Sequence, residues 1–222
     1  MPVKIFIRAG WALLMLLSLF FIYNNALRYF NFSPSGYTDY LQLRPFAGVL
    51  IVHIISGMIA LLAGPLQFIA AIRKKHVKFH RSIGRIYMGC ILVGGTSGLY
   101  LAVAHAILTV HYVTFGAGLA GLAIAWLLTS GMGLNAVRNR NFIQHREWMI
   151  RSYTVTCAFT TFRFLFGIIE KVIPINEIDA LNICSWASWA LPLLIVEAVL
   201  QSKKTTTVMS RTAITNYNEL IQ

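Results

Sequence analysis

Six histidines carry most of the chemistry this chain can offer: His53, His76, His80, His105, His111 and His145. Neutral imidazole binds haem iron axially, and two histidines on facing helices make a six-coordinate electron-transfer site if their rings share one depth. His80 and His145 form the first candidate pair. Each follows a basic segment and is followed directly by an arginine, Arg81 or Arg146. Each also stands seven residues after another arginine, Arg73 or Arg138. The segments around them echo one another. Ala71-Ile72-Arg73 leads to His80, Arg85 and Tyr87, as Ala136-Val137-Arg138 leads to His145, Arg151 and Tyr153. A duplicated helix pair accounts for both histidines, which a chance likeness of basic loops does not. The second candidate pair is His53 with His105 or His111. His76 and His80 would share a helical face, but no carboxylate or thiol stands beside them to complete a metal site.

The elements that must position these rings are membrane spans. Of 222 residues, 57% are hydrophobic and 12% charged, and the apolar residues fall in runs long enough to cross a bilayer. A soluble globule, a disordered chain and a disulfide scaffold are poor descriptions of such a composition. Six spans are expected, near Gly10–Asn31, Pro45–Ile72, Ile83–His105, Tyr112–Val137, Trp148–Ile169 and Ala180–Leu200. They form one all-α transmembrane domain followed by a polar, loosely ordered tail, Gln201–Gln222. The net charge of +12 suggests nucleic acid at first sight, but the basic residues flank the spans, which is the pattern of membrane orientation. Fifteen of the 19 Lys and Arg fall on the side that holds the N-terminus, the segment Arg73–Arg85 and the tail, so both termini are expected in the cytoplasm. His80 and His145 then start spans three and five at the cytoplasmic face. His53, His105 and His111 lie towards the outside, and spans two to five make a four-helix core. From His53 to the inner end of its span is about 19 residues, roughly 28 Å; from His111 it is about 26 residues, roughly 39 Å, so His105 is the better depth match.

Other residues define the setting. Arg163, in the outer part of span five, is costly in a membrane and must meet an acid, water or an anionic ligand. Glu170, two turns on, is its structural partner; a haem propionate or an anionic substrate is the functional one. Glu197, near the inner end of span six, is expected at the membrane interface, where it could pair with a cytoplasmic arginine. Gly94 and Gly98 make a GxxxG on span three, which serves close helix packing or leaves room for a flat macrocycle. Cys90, Cys157 and Cys184 lie in apolar runs at no metal-like spacing. The first span follows Lys4 and Arg8 like a signal peptide, but no small-x-small cleavage site follows it, so an uncleaved anchor is expected.

Three motifs carry a resemblance: Gly64-Pro65-x-Gln67-Phe68, His80-Arg81-x-x-Gly84-Arg85-x-Tyr87, and His145-Arg146-x-Trp148-Met149-Ile150-Arg151-Ser152-Tyr153. With His53 and Arg163 they resemble the bacterial membrane proteins grouped as domain-of-unknown-function family 2306, over about Pro45 to Phe166. That family brings no established reaction, and the resemblance implies a multi-pass protein of the bacterial inner membrane. The placement of the histidines is in turn similar to that of ascorbate-dependent transmembrane b-type cytochromes, which hold two bis-histidine haems on helices two to five. The expectation is a membrane protein with one haem b, or two, that passes electrons from a quinol or small anionic reductant to an acceptor. His80 and His145 would be inner ligands, and His53 with His105 or His111 outer ones. Arg81, Arg146, Arg151 and Arg163 would meet propionate or substrate charge. The lipid bilayer is the expected partner, with a possible homo-oligomer and no nucleic acid. The alternative is a haem-free membrane protein, either a small transporter or an assembly scaffold.

Overall fold

The computed structural model describes residues 10, 13, 15–26, 30 and 45–220, by backbone alone beyond Thr205. Lys4, Arg8, Arg28 and the loop from Phe32 to Arg44 lie outside the described residues. The described residues are nearly all helical, joined by short turns and without strands. A short apolar helix, α1 (Met15–Asn24), represents the first span. It is followed by α2 (Ala47–Phe68), α3 (Ala70–Lys75), α4 (Val77–Tyr100), α5 (Val113–Arg138), α6 (Phe142–Thr156), α7 (Ala158–Val172) and α8 (Glu177–Leu220). Among the described residues, four helical segments are long and apolar enough to cross a membrane, and α6 with α7 makes a fifth if the pair is one span.

Four local features differ from the sequence expectation, each for a physical reason. Between spans two and three, the basic loop is mostly helix, broken only at Ile69 and His76. Its Ala, Lys and Arg are good helix formers and no Gly or Pro stands there to stop them. The third span leaves α4 as a wider π-helical stretch, Leu101–Ile107, which contains His105. The fifth span bends by 43° between α6 and α7. Just before the bend, the hydroxyls of Thr154 and Thr156 bond the carbonyls of Ile150 and Ser152, both at 2.9 Å. Such back-bonding bends helices. Finally, α8 runs 44 residues, about 66 Å against a hydrocarbon core of about 30 Å. The segment expected as a loose tail therefore continues the sixth span as helix, without a Gly or Pro to end it before Leu220.

The core is shared by the second to fifth spans. Ala60 and Ala63 of α2, Tyr87 and Ile91 of α4, Leu122 and Trp126 of α5, and Tyr153 and Val155 of α6 are buried in one cluster. α2 packs along α4 and α5 along α6, while α8 covers α5, α6 and α7. One junction shows how the motifs hold this arrangement. Pro65 sits inside α2 and has no N–H, so the carbonyl four residues earlier, on Leu61, loses its helical partner. The Tyr153 hydroxyl donates to that carbonyl at 3.1 Å. Gly64 makes the approach possible, because a Cβ there would overlap the Tyr153 ring. The Gly64-Pro65 motif and the Tyr153 motif are thus two halves of one contact.

Candidate functional site

Towards the end away from the basic loops, the bundle holds a half-open cavity of about 400 Å³, lined by residues of α1, α2, α4, the π-helical stretch, α5, α6 and α7. Its walls are mostly apolar, among them Met58, Leu101, Phe115 and Leu119, and its polar side chains are few: His53, His105, Trp126, Thr156, Thr160 and Arg163. His53 Nδ1 lies 2.8 Å from the carbonyl oxygen of Gly94. A carbonyl only accepts, so Nδ1 carries the proton and the lone pair of the neutral ring is on Nε2. The ring rests directly on α4: a Cβ on Gly98 would come 2.8 Å from its Cε1 and 3.0 Å from its Nδ1. The ring edge also meets Phe159, with 6.0 Å between centroids.

His105 lines the same cavity, seven residues beyond Gly98 and inside the π-helical stretch. Its Nδ1 is buried without a hydrogen-bond partner, and its ring lies 4.9 Å from that of Phe46. π-helical turns are rare and gather at functional sites, and here one re-aims His105. Arg163 is exposed and joins the cavity wall at its edge. His111 is exposed too, at φ 61°, in the turn between the π-helical stretch and α5. It is not part of the cavity lining.

At the basic end, His145 Nδ1 lies 2.8 Å from the Gly133 carbonyl oxygen. The same reasoning puts its lone pair on Nε2. His80 is half-buried, and its Nδ1 is buried without a partner. His80 and His145 stand within electrostatic reach of one another, with Arg73 and Arg81 close by. His76 is exposed at the break between α3 and α4. Arg81 and Arg146 are exposed beside their histidines. Arg151 is buried, and its charge is already met: Nε and the second terminal nitrogen bond Glu197 Oε2 at 2.7 Å and 2.5 Å. Its guanidinium also covers the Trp148 ring at 4.7 Å. The three cysteines are free thiols, and no group of three or more His, Cys, Asp or Glu capable of holding a metal occurs among the described residues.

Between the two histidine levels lies a buried polar circuit that the sequence reading overlooked. Trp126 Nε1 donates to Thr156 Oγ1 at 2.8 Å. Thr156 and Ser152 each lie 2.9 Å from the Tyr87 hydroxyl. Ser152 meets Ser130 at 2.8 Å, and Ser130 donates back to the Trp126 carbonyl at 2.7 Å. Each hydroxyl has one proton to give. The run begins on an indole N–H and ends on the carbonyls of Trp126 and Ser152, so its donors are satisfied within it. It fixes the register of α4, α5 and α6 rather than relaying protons. Its signal in the sequence is the pairs Trp126 with Ser130 and Ser152 with Thr156, each four apart inside an apolar span.

A family model described as "Predicted membrane protein (DUF2306)" matches residues 50–200. The chain belongs to the DUF2306 family. No curated protein and no solved structure matches it. The DUF2306 match takes in all the candidate residues from His53 to Arg163, together with Glu197. Multi-pass membrane location follows from the family and from the apolar helices together.

Proposed function

We propose that this DUF2306 protein is a haem b membrane protein of transmembrane electron transfer. One haem would lie in the cavity at His53 and His105, and the other between His80 and His145. The observation that carries the proposal is the state of His53. Its Nδ1–H is held by the Gly94 carbonyl, its Nε2 lone pair is left for a ligand, and it lines a half-open, mostly apolar cavity with a second histidine. Histidines that bind metals almost always donate their other N–H to a carbonyl or carboxylate, which fixes the ring and raises its basicity. His145 has the same arrangement with Gly133.

The residues fit the group. At about 400 Å³ the cavity falls within the range of roughly 300–1,000 Å³ typical of cofactor sites. His105 contributes an unpartnered buried nitrogen, and Arg163 contributes a cation for a propionate. Haem would supply one-electron chemistry. The chain's own residues would hold the ligand planes, exclude water through Leu101, Phe115 and Leu119, and fix the separation of the two levels through the Tyr87–Ser152–Ser130 circuit. With the basic end cytoplasmic, as the charge asymmetry favours, electrons would cross between the two faces. The donor would be a quinol or small reductant.

The test is haem content and spectrum. Protein made with haem supplied should purify coloured, with a Soret band that shifts on reduction. His80→Ala and His145→Ala should each remove the same spectral component, and the double variant little more, because two ligands of one iron act as a unit. Separate, partial losses of stability with no spectral change would favour the haem-free alternative. The bend between α6 and α7 speaks for a transporter, as do Pro65 and Pro192 inside their helices, since such proteins use broken spans.

A further inference from the structure

We propose that the groove between α6 and α8 at the basic end binds a neutral membrane quinone, the head among the polar residues of α6 and the tail along Leu193 and Leu194. Gln144, Glu147, Trp148 and Arg151 recur at the helical period and form one stripe of α6. Together with α8 they line a half-open volume of about 640 Å³. The charges in the groove cancel. Lys204 Nζ lies 2.6 Å from Glu147, Arg151 is paired with Glu197, and Gln201 donates to Glu197 Oε1 at 2.6 Å. Two acids, two bases and two amides offer many hydrogen bonds and no net charge. An anionic lipid headgroup or a carboxylate reductant would have to displace an existing partner, whereas a neutral ring with two oxygens would not. Trp148 and Trp189 supply aromatic surface for such a ring. Leu194 is 66% exposed on the outward side, where a tail can leave for lipid.

The groove also has a position that suits electron exchange, a use that rests on the haem reading although binding itself does not. His145 and Ser152 lie about a quarter turn round α6 from this stripe, facing Gly133 and Tyr87. The groove and the inner histidine therefore share one helix.

The experiment is photolabelling of the full-length protein in lipid nanodiscs with an azido-substituted short-chain ubiquinone, the adducts being mapped by mass spectrometry. Label should concentrate on Gln144–Arg151 and Trp189–Gln201. Excess decylubiquinone should suppress it, and oleate should not. Ala190→Trp fills the groove without touching an ion pair and should lower labelling by on the order of tenfold, equivalent to about 1.4 kcal/mol. Label spread evenly over the lipid-facing helices, or displaced equally by oleate, would overturn the proposal. If Ala190→Trp does not accumulate, the competition on the unaltered protein decides. Absorption of the same sample separates the two readings. Colourless protein with focused label keeps the quinone site and removes the haem, and coloured protein with diffuse label does the reverse.

Discussion

Removing the Tyr153 hydroxyl should cost stability only because Pro65 is there. In α2 the Leu61 carbonyl has no N–H to accept from at position 65, and the Tyr153 hydroxyl at 3.1 Å takes that place. A buried carbonyl left unsatisfied costs about 1–3 kcal/mol. Hydrogen bonds between membrane helices average nearer 0.6 kcal/mol, with a maximum of about 1.7, because the unfolded chain also finds partners. A rigid helix gives Leu61 no alternative, so Tyr153→Phe should cost about 1–1.5 kcal/mol. In a Pro65→Ala background the new N–H supplies the carbonyl, and the same change should cost about 0.5 kcal/mol or less. The assay is reversible unfolding in mixed micelles titrated with sodium dodecyl sulfate, run on all four members of the cycle. Equal losses in both backgrounds would refute the coupling and with it the account of why the two motifs stand together. Gly64→Ala provides a steric control: its methyl group would meet the Tyr153 ring and should destabilise either background.

Three further outcomes follow from the same geometry. Gly98→Val should displace the His53 ring, since even a Cβ would lie 2.8 Å from it; haem content and the midpoint potential of one component should fall or shift, while Gly89→Val, in open space, should leave both unchanged. Glu197→Gln should leave buried Arg151 with only the more distant Glu147 carboxylate, at 3.9 Å, and cost about 1.5–3 kcal/mol, whereas Arg151→Met with Glu197→Leu should cost less than the single change in a micelle unfolding titration. Reporter fusions after Lys75 and Arg140 should read cytoplasmic and one near Asn176 outside; a periplasmic signal from Lys75 would invert the orientation.

Helix type and membrane location were legible because long apolar runs with few charges have one economical solution, a helix with every backbone group bonded. Less visible were the features set by single side chains against a neighbouring helix. The bend at Cys157 depends on threonine hydroxyls choosing backbone carbonyls, which composition does not record. The extension of α8 past Gln201 depends on the absence of a stop signal, easily misread as a polar tail. Among the site residues, His53 stood out as an imidazole in an apolar span, but its bond to Gly94 requires knowing that α2 and α4 lie face to face. The choice between His105 and His111 rested on counting depth along straight helices. The π-helical stretch that turns His105 into the cavity, and the exposed left-handed turn that holds His111 away from it, both break that count. Glu197 was legible as a partner for some cytoplasmic arginine, but its choice of Arg151, 46 residues away in sequence, is set only by the fold.

The most direct measurement of the central claim is the reduced-minus-oxidised absorption spectrum of the purified protein beside those of His53→Ala and His111→Ala. A haem site at His53 predicts sharp six-coordinate b-type bands in the unaltered protein, loss of one component in His53→Ala, and an unchanged spectrum in His111→Ala. Colourless protein from haem-supplied cells, or a His53→Ala spectrum identical to that of the unaltered protein, would contradict it.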